Sequence, residues 1–418
     1  MKKFFVLAAA AALTLASCAK VETITKVNDE QHIIGFSNYA PKALAKAAAA
    51  NYVDGTTLVA NADFDVWGWY TANGTSFDGT NGTQYFGAPN AWYTVTYKAD
   101  GDTDGSKNAY PDGARYWPTG DAPDYLHFAA YYPSNATGIT APAAGLGAYS
   151  FTAQATAATM VDFMVADVVK DQTYDTTNGN PGTNSGTDGT VALSFRHQLT
   201  RVQFKFKTTQ AVVDDANTTI KVTDVKVYNA LTTGTLTSSY LEKNNSGVYS
   251  DEVGYDDTDT PIEWATRTIW SGQATPSASP YEVFVNGADI NNFELTATAA
   301  PATNNAADIF LMVPQAMIEP VFSTTPHITT NLSNKPQYVL VEWDVITKGV
   351  TTHNTKALYF DTDLKTTDNI TAPAAALDLD WAKNASITYT LTIGPKQILF
   401  TGAAEAWDPE TNGFFNVN

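Results

Sequence analysis

Leu15-Ala16-Ser17-Cys18 is the stretch whose side-chain chemistry is easiest to read. Small residues before a thiol form a bacterial lipobox, at which a lipoprotein-type signal peptidase cuts and the Cys18 sulfur takes up lipid. Cys18 is the only Cys in the chain, which sets the lipobox above an incidental Cys in an ordinary signal. The five His residues (His32, His127, His197, His327 and His353) show no metal-ligand spacing and no His-Glu-x-x-His pattern. His197 lies among residues of core phase and reads as a hydrogen-bonded core histidine. No Gly-x-Ser-x-Gly elbow, phosphate loop or dinucleotide fingerprint occurs. Asp100-Gly101-Asp102-Thr103-Asp104-Gly105 resembles the opening of a calcium loop, but its twelfth position is Pro111 rather than Glu and no helices flank it. A solvated turn and weak calcium binding both stand for it. These residues point to lipid attachment and to no enzyme, cofactor or metal centre.

The segments around Cys18 fit that chemistry. Lys2 and Lys3 form a basic start, and Phe4 to Leu15 is an apolar run too short to span a bilayer as a helix. Residues 1–17 are therefore a signal peptide, set aside from the fold. With one Cys the chain has no intrachain disulfide, so stability must come from core burial, for which 418 residues are ample. The net charge of −19 deepens when Lys2 and Lys3 leave, and it argues against nucleic acid as a partner. Charged residues make up only 16 %, against roughly a quarter in ordinary domains. The surface must be carried by Thr, Asn, Ser and Gly, as in secreted β-rich proteins. Length suggests two domains, or three.

Strand signals recur along the chain. His32 to Tyr39 is the first, with Ile34 and Phe36 on one face. Pro41 to Ala50 follows and carries Lys42 and Lys46; it reads either as a helix starting at Pro41 or as an accessible basic loop. Phe64 to Tyr70, Trp92 to Tyr97, Arg115 to Pro118 and Tyr125 to Tyr132 are aromatic-rich strands. Met160 to Val169 is almost continuously apolar, as a strand buried on both faces would be. Leu193, Phe195, His197 and Leu199 alternate, then Val202, Phe204 and Phe206 continue on the opposite parity. That phase change at Thr200-Arg201 predicts a bulge, or a strand that changes sheets. A second slip falls at Thr223-Asp224. Ile309 to Val313, Val339 to Val345 and Ile387 to Ile393 follow, and Gly394-Pro395 turns the chain into Ile398-Leu399-Phe400. No amphipathic helix longer than about ten residues is convincing. The fold class is all-β, as sandwiches. The division falls near residue 212, giving a tether, first strand and linker over 18–46, an N-terminal sandwich over 47–212 and a C-terminal one over 213–418.

Four features together resemble the fimbrillin family, the type V pilins and related lipoproteins of Bacteroidales. They are the lipobox followed by a short strand, Phe64-Asp65-Val66-Trp67-Gly68, the run Leu193 to Val202, and the ending Tyr389 to Ile393 with Ile398 to Trp407. Ile309 to Gln315 resembles a further recurrent segment there. The resemblance covers essentially the whole chain. It implies two transthyretin-like β-sandwich domains in tandem. It also implies a precursor that is lipidated at Cys18 by palmitate-type acyl chains and carried to the outer membrane. A trypsin-like protease would then cut after a basic residue; Lys42 and Lys46 are the ones available, with no Arg before Arg115, which departs from the Arg site of the best-known members. Loss of the first strand, with Ile34 and Phe36, would open a groove for a C-terminal strand of another copy or a related subunit. The donor strand would lie after Pro395, with Ile398 and Phe400 as anchors and Phe414-Phe415 at the tail. Localisation would be the outer membrane and the cell-surface fimbrium, with a host or bacterial surface ligand as a further partner. The rival is a non-polymerising outer-membrane lipoprotein of the same fold, an anchor or a glycan-binding adhesin.

Overall fold

The computed structural model describes residues 33–39, 58, 61–72, 75–86, 90–98, 108–118, 124–156, 159–175, 180–181, 190–241, 266–283, 294–300, 309–318, 335–360 and 381–406. In chain order the strands are β1 (Gly35–Tyr39), β2 (Asp63–Thr71), β3 (Thr83–Gln84), β4 (Tyr93–Tyr97), β5 (Asn108–Ala109), β6 (Tyr125–Tyr132), β7 (Ile139–Thr140), β8 (Gly147–Thr152), β9 (Met164–Ala166), β10 (Val169–Gln172), β11 (Tyr174–Asp175), β12 (Asn180–Pro181) and β13 (Thr190–His197). They continue with β14 (Thr200–Lys207), β15 (Thr218–Tyr228), β16 (Leu231–Tyr240), β17 (Thr266–Pro276), β18 (Tyr281–Glu282), β19 (Ile309–Met312), β20 (Tyr338–Thr347), β21 (Val350–Tyr359), β22 (Ala385–Ile393) and β23 (Ile398–Ala406). The one helix among the described residues is the single turn α1 (Gln210–Val213).

One sheet runs β1-β13-β9-β6-β2-β4-β5, with β10 and β3 attached to β6 and β2. Its central strands are apolar on both faces, so β2 is buried along nearly its whole length. On one face Phe64, Val66, Leu126, Phe128, Leu193 and Phe195 form a core that also takes in Ile34, Phe36 and Trp117. On the other face Trp67 and Trp69 cluster with Phe77. Asp65 also sits there, buried and held by hydrogen bonds from Tyr131 Oη (2.6 Å) and Thr94 Oγ1 (2.8 Å).

A second core lies between two further sheets, β19-β14-β22-β23 and β18-β15-β20-β21. Strict alternation builds it: Val202, Phe204 and Phe206 point inward from one sheet, and Val339, Val341, Trp343 and Val345 from the other. Phe204 stacks on Tyr389 (5.4 Å), and Tyr281 meets Phe310 across the sheets (6.1 Å), so the layers interlock as a β-sandwich. A fourth sheet, β17-β16-β8-β7, extends the same core.

The phase change at Thr200-Arg201 is a change of sheet: β13 ends at His197 in the first sheet and β14 starts at Thr200 in the second. The slip at Thr223-Asp224 is a register shift between Val222 and Asp224 in the β15–β20 ladder. Hydrogen bonding crosses residue 212, because β14 pairs with β19 and β22, and β8 pairs with β16. Two expected strands differ. Met160 to Val169 is largely buried, yet it is no single strand: Met164–Ala166 forms β9, Val169 opens β10, and Gln198 N donates to Phe163 O outside any ladder. Arg115 to Pro118 makes a single bridge, Tyr116 to Ile33, because its backbone is used to hold the start of the chain.

Candidate functional site

β1 is a short apolar strand with no local partner, so its backbone groups must be satisfied far away in sequence. It lies parallel to β13, with Gly35 opposite Thr190, Phe36 opposite Val191 and Tyr39 opposite Ser194. Its other edge is held by an irregular clamp. Ile34 N donates to Arg115 O (2.8 Å), Phe36 N donates to Asn108 Oδ1 (2.7 Å), and the Tyr110 hydroxyl donates to Ile34 O.

Side chains seat the strand more deeply than its hydrogen bonds. Ile34 and Phe36 are both fully buried. The Phe36 ring meets Phe128, Phe86 and Phe64 edge to face at 5.4, 5.7 and 6.3 Å. Burying two such side chains contributes roughly 3–6 kcal/mol gross. Between them Gly35 lies so close to β13 that a Cβ there would come 2.7 Å from Thr190 Cγ2. Arg115, which lends its carbonyl to Ile34, places its guanidinium over the Tyr93 ring at 5.1 Å. Burial raises the Tyr93 and Tyr85 hydroxyl pKa values, so the phenols around this clamp stay neutral donors.

At the far end of the chain β23 pairs with β22 as an antiparallel hairpin, from Ala385 opposite Ala406 to Ile393 opposite Ile398. Gly394 N donates to Gln397 O (2.7 Å) in its turn. Ile398 is buried in the second core, Leu399 is exposed, and Phe400 pairs with Leu391. The structure thus brings Ile34 and Phe36 together, while Ile398 and Phe400 lie in a different sheet of the same copy. Cys18, Lys42, Lys46, Asp100 to Asp104, Trp407 and Phe414-Phe415 lie outside the described residues.

Asn108, Tyr110, Arg115 and Thr190 form the walls of the β1 seat and were not identified from sequence. The segments of Asn108, Tyr110 and Arg115 lack periodicity, Thr190 sits at the start of the alternating β13, and Asn108 is 72 positions from its partner Phe36. His197 and His127 stand apart from this seat. His197 is buried, with Nδ1 2.9 Å from Asp162 Oδ1. His127 is buried between Thr71 and Asp171. Among the described residues no group of three His, Cys, Asp or Glu could hold a metal ion, and no helix is long and apolar enough to cross a membrane.

A β-sandwich protein whose first strand is an edge insert, clamped on one side and socketed by aromatic rings, is the class these features define. The chain belongs to the fimbrillin-like family, whose sequence model matches residues 50–407. Among solved structures it is similar to a fimbrial protein from Bacteroides vulgatus, at 16 % identity and TM-score 0.46 over 82 % of this chain and 92 % of that one. It is also similar to the tip fimbrial protein Mfa3 from Porphyromonas gingivalis with C-terminal truncation, at 12 % identity and TM-score 0.32 over 89 % and 99 % of the two chains. No curated protein sequence matches this chain.

Proposed function

We propose that the chain is a structural subunit of a surface fimbria, a type V pilus, with a role in adhesion. It is exported as a lipoprotein through Cys18 and reaches the outer membrane. A trypsin-like protease cuts after Lys42 or Lys46 and releases β1. Strand exchange then fills the vacated seat from another copy or a related subunit. The organisation proposed is two transthyretin-like sandwiches over 47–212 and 213–418, with β8 and β14 pairing across the division.

The observation that carries this reading is the seat of β1. The strand buries Ile34 and Phe36 completely, yet its ladder is confined to one parallel partner and a clamp of three separate groups. Removing it would leave an aromatic socket and a row of unpaired backbone groups on β13, a template for an added strand. Exchange of one buried strand for another keeps the number of satisfied groups while linking two chains, and slow dissociation follows from the buried rings. The function requires no catalytic group, cofactor or metal.

The test is the appearance of high-mass ladders when surface protein is exposed to mild denaturant. Wild-type chain should give them, and a chain lacking residues 396–418 should give none. Persistence of ladders in the truncated chain would remove the C-terminal donor. A wild-type protein that runs only as a monomer would favour the anchor or adhesin of the same fold.

A further inference from the structure

β17 is the end strand of its sheet, paired with β16 on one side. Backbone groups on its other edge are met by side chains from three distant segments. Thr266 N donates to Asp167 Oδ1 (2.6 Å), Arg196 Nη2 donates to Thr266 O (2.7 Å), and Lys383 Nζ donates to Thr268 O (2.8 Å). Lys383 Nζ also lies 2.9 Å from Thr268 Oγ1. Arg267 stands between the two threonines on the same strand. In a chain of net charge −19 with four Arg residues, two of them and a Lys gather on one stretch of one strand edge. The Asp167 carboxylate faces this group, 3.7 Å from Arg196 Nη2.

Lys383 is held beside the guanidiniums by its neighbours in the chain. Thr200 Oγ1 donates to Ala382 O (2.6 Å), and Asn384 N donates to Leu199 O (3.1 Å). Burial, and then the Arg196 and Arg267 charges, disfavour the ammonium and lower its pKa from 10.5 to about 7. A lysine can respond to its surroundings in this way, whereas a guanidinium stays charged. A substantial share of the amine is therefore free base at neutral pH, next to two fixed cations. An unprotonated amine adds CO2, and the product is an anion. We propose that Lys383 is a carboxylation site, at which dissolved CO2 adds to Nζ and the carbamate is held by the Arg196 and Arg267 guanidiniums. The Nζ lone pair bonds to carbon, one C=O pair moves onto oxygen, and Nζ gives a proton to water. The remaining N–H still donates to Thr268 O, and the Thr268 hydroxyl donates to a carbamate oxygen. Lys383 is half-buried, so the added carboxylate stays at the edge of the molecule and enters no core. The reaction ties the segment that leads into β22 to the edge of β17, and it needs no strand exchange.

The full-length chain is equilibrated with bicarbonate at neutral pH, treated with a trialkyloxonium salt that fixes carbamates as esters, digested and read by mass spectrometry. The adduct on Lys383 should exceed that on any other lysine by more than about ten-fold, because ordinary lysines are almost wholly ammonium there. Arg267→Gln should lower the trapped fraction about five-fold, since it takes away a cation that both frees the amine and holds the product. Bicarbonate should also raise the thermal midpoint of the wild-type chain relative to chloride at equal ionic strength and pH, and should leave that of Lys383→Met unmoved. Adducts absent from Lys383, or spread evenly over the lysines, would overturn the assignment. A midpoint that rises equally in Lys383→Met would mean that bicarbonate binds the arginines as a free anion, and would overturn it as well.

Discussion

Phe36 meets Phe128 edge to face, with ring centroids 5.4 Å apart and planes at 82°. Phe128 belongs to β6, an interior strand of its sheet, so the first strand is anchored in the heart of a core and not only along an edge. A strand held this way stabilises the full-length chain strongly, and its removal would leave a well-defined hole in that core.

Phe36→Ala should therefore cost the full-length chain about 3–5 kcal/mol, because a fully buried ring is removed from a packed aromatic cluster. Phe36→Leu should cost less. Denaturant unfolding of the uncleaved protein measures both. A loss below about 1 kcal/mol for Phe36→Ala would mean that the ring is not packed as described.

The clamp makes a separate prediction. Asn108 is buried, and its Oδ1 accepts from Phe36 N at 2.7 Å. Asn108→Ala leaves that buried donor unpaired, at a cost of about 1–3 kcal/mol. Amide hydrogen exchange at Phe36 should accelerate well beyond that of core amides on β2.

Acid should weaken the first sheet through His127. Asp171 N donates to its Nδ1 (2.9 Å), so the ring proton sits on Nε2, which faces Thr71 Oγ1 at 2.8 Å. Burial, and then the Lys170 charge, lower its pKa from 6.5 to about 4. The Asp171 carboxylate, 3.7 Å from Nδ1 and partly exposed, does not offset this. A histidine with a lowered folded pKa keeps its full contribution above pH 6.5 and loses it as pH falls toward 4, by about 3 kcal/mol. His127→Gln should flatten the stability profile across that window, as read by denaturation at a series of pH values.

Deleting residues 407–418 isolates the tail from β23. The deletion leaves intact the β22–β23 ladder that runs from Ala385 opposite Ala406 to Ile393 opposite Ile398. Polymer ladders lost with this deletion would assign the donor anchor to Phe414-Phe415. Ladders that survive it, yet vanish when residues 396–418 are removed, would assign the donor role to Ile398 and Phe400.

Much of the fold was legible in residue alternation. Val202-x-Phe204-x-Phe206 and Val339 to Val345 announce a strand with one buried face, and the parity flip after Leu199 marks the change of sheet. Ile34 and Phe36 were legible for the same reason. Other strands were not. β16 places Gly234 and Ser238 at inward positions, where Gly234 fits because Trp270 carbons would lie about 3 Å from a Cβ. A strand that packs a glycine against a tryptophan has no apolar period to detect. β21 is an edge strand with most residues exposed, so its Thr-rich sequence carries no inward signal either. The walls of the β1 seat are contacts between distant segments, as between Ile34 and Tyr110, and no local pattern encodes them.

Whether β1 leaves is decided by the N-terminus of the protein recovered from the cell surface, read by mass spectrometry. A start at Ala43 or Ala47, after Lys42 or Lys46, is the expected result, and it means that the seat lined by Phe64, Phe86 and Phe128 is open to another chain. A lipidated Cys18 on most molecules, with β1 still attached, would contradict strand exchange and make the protein a lipid-anchored surface module that keeps its own first strand.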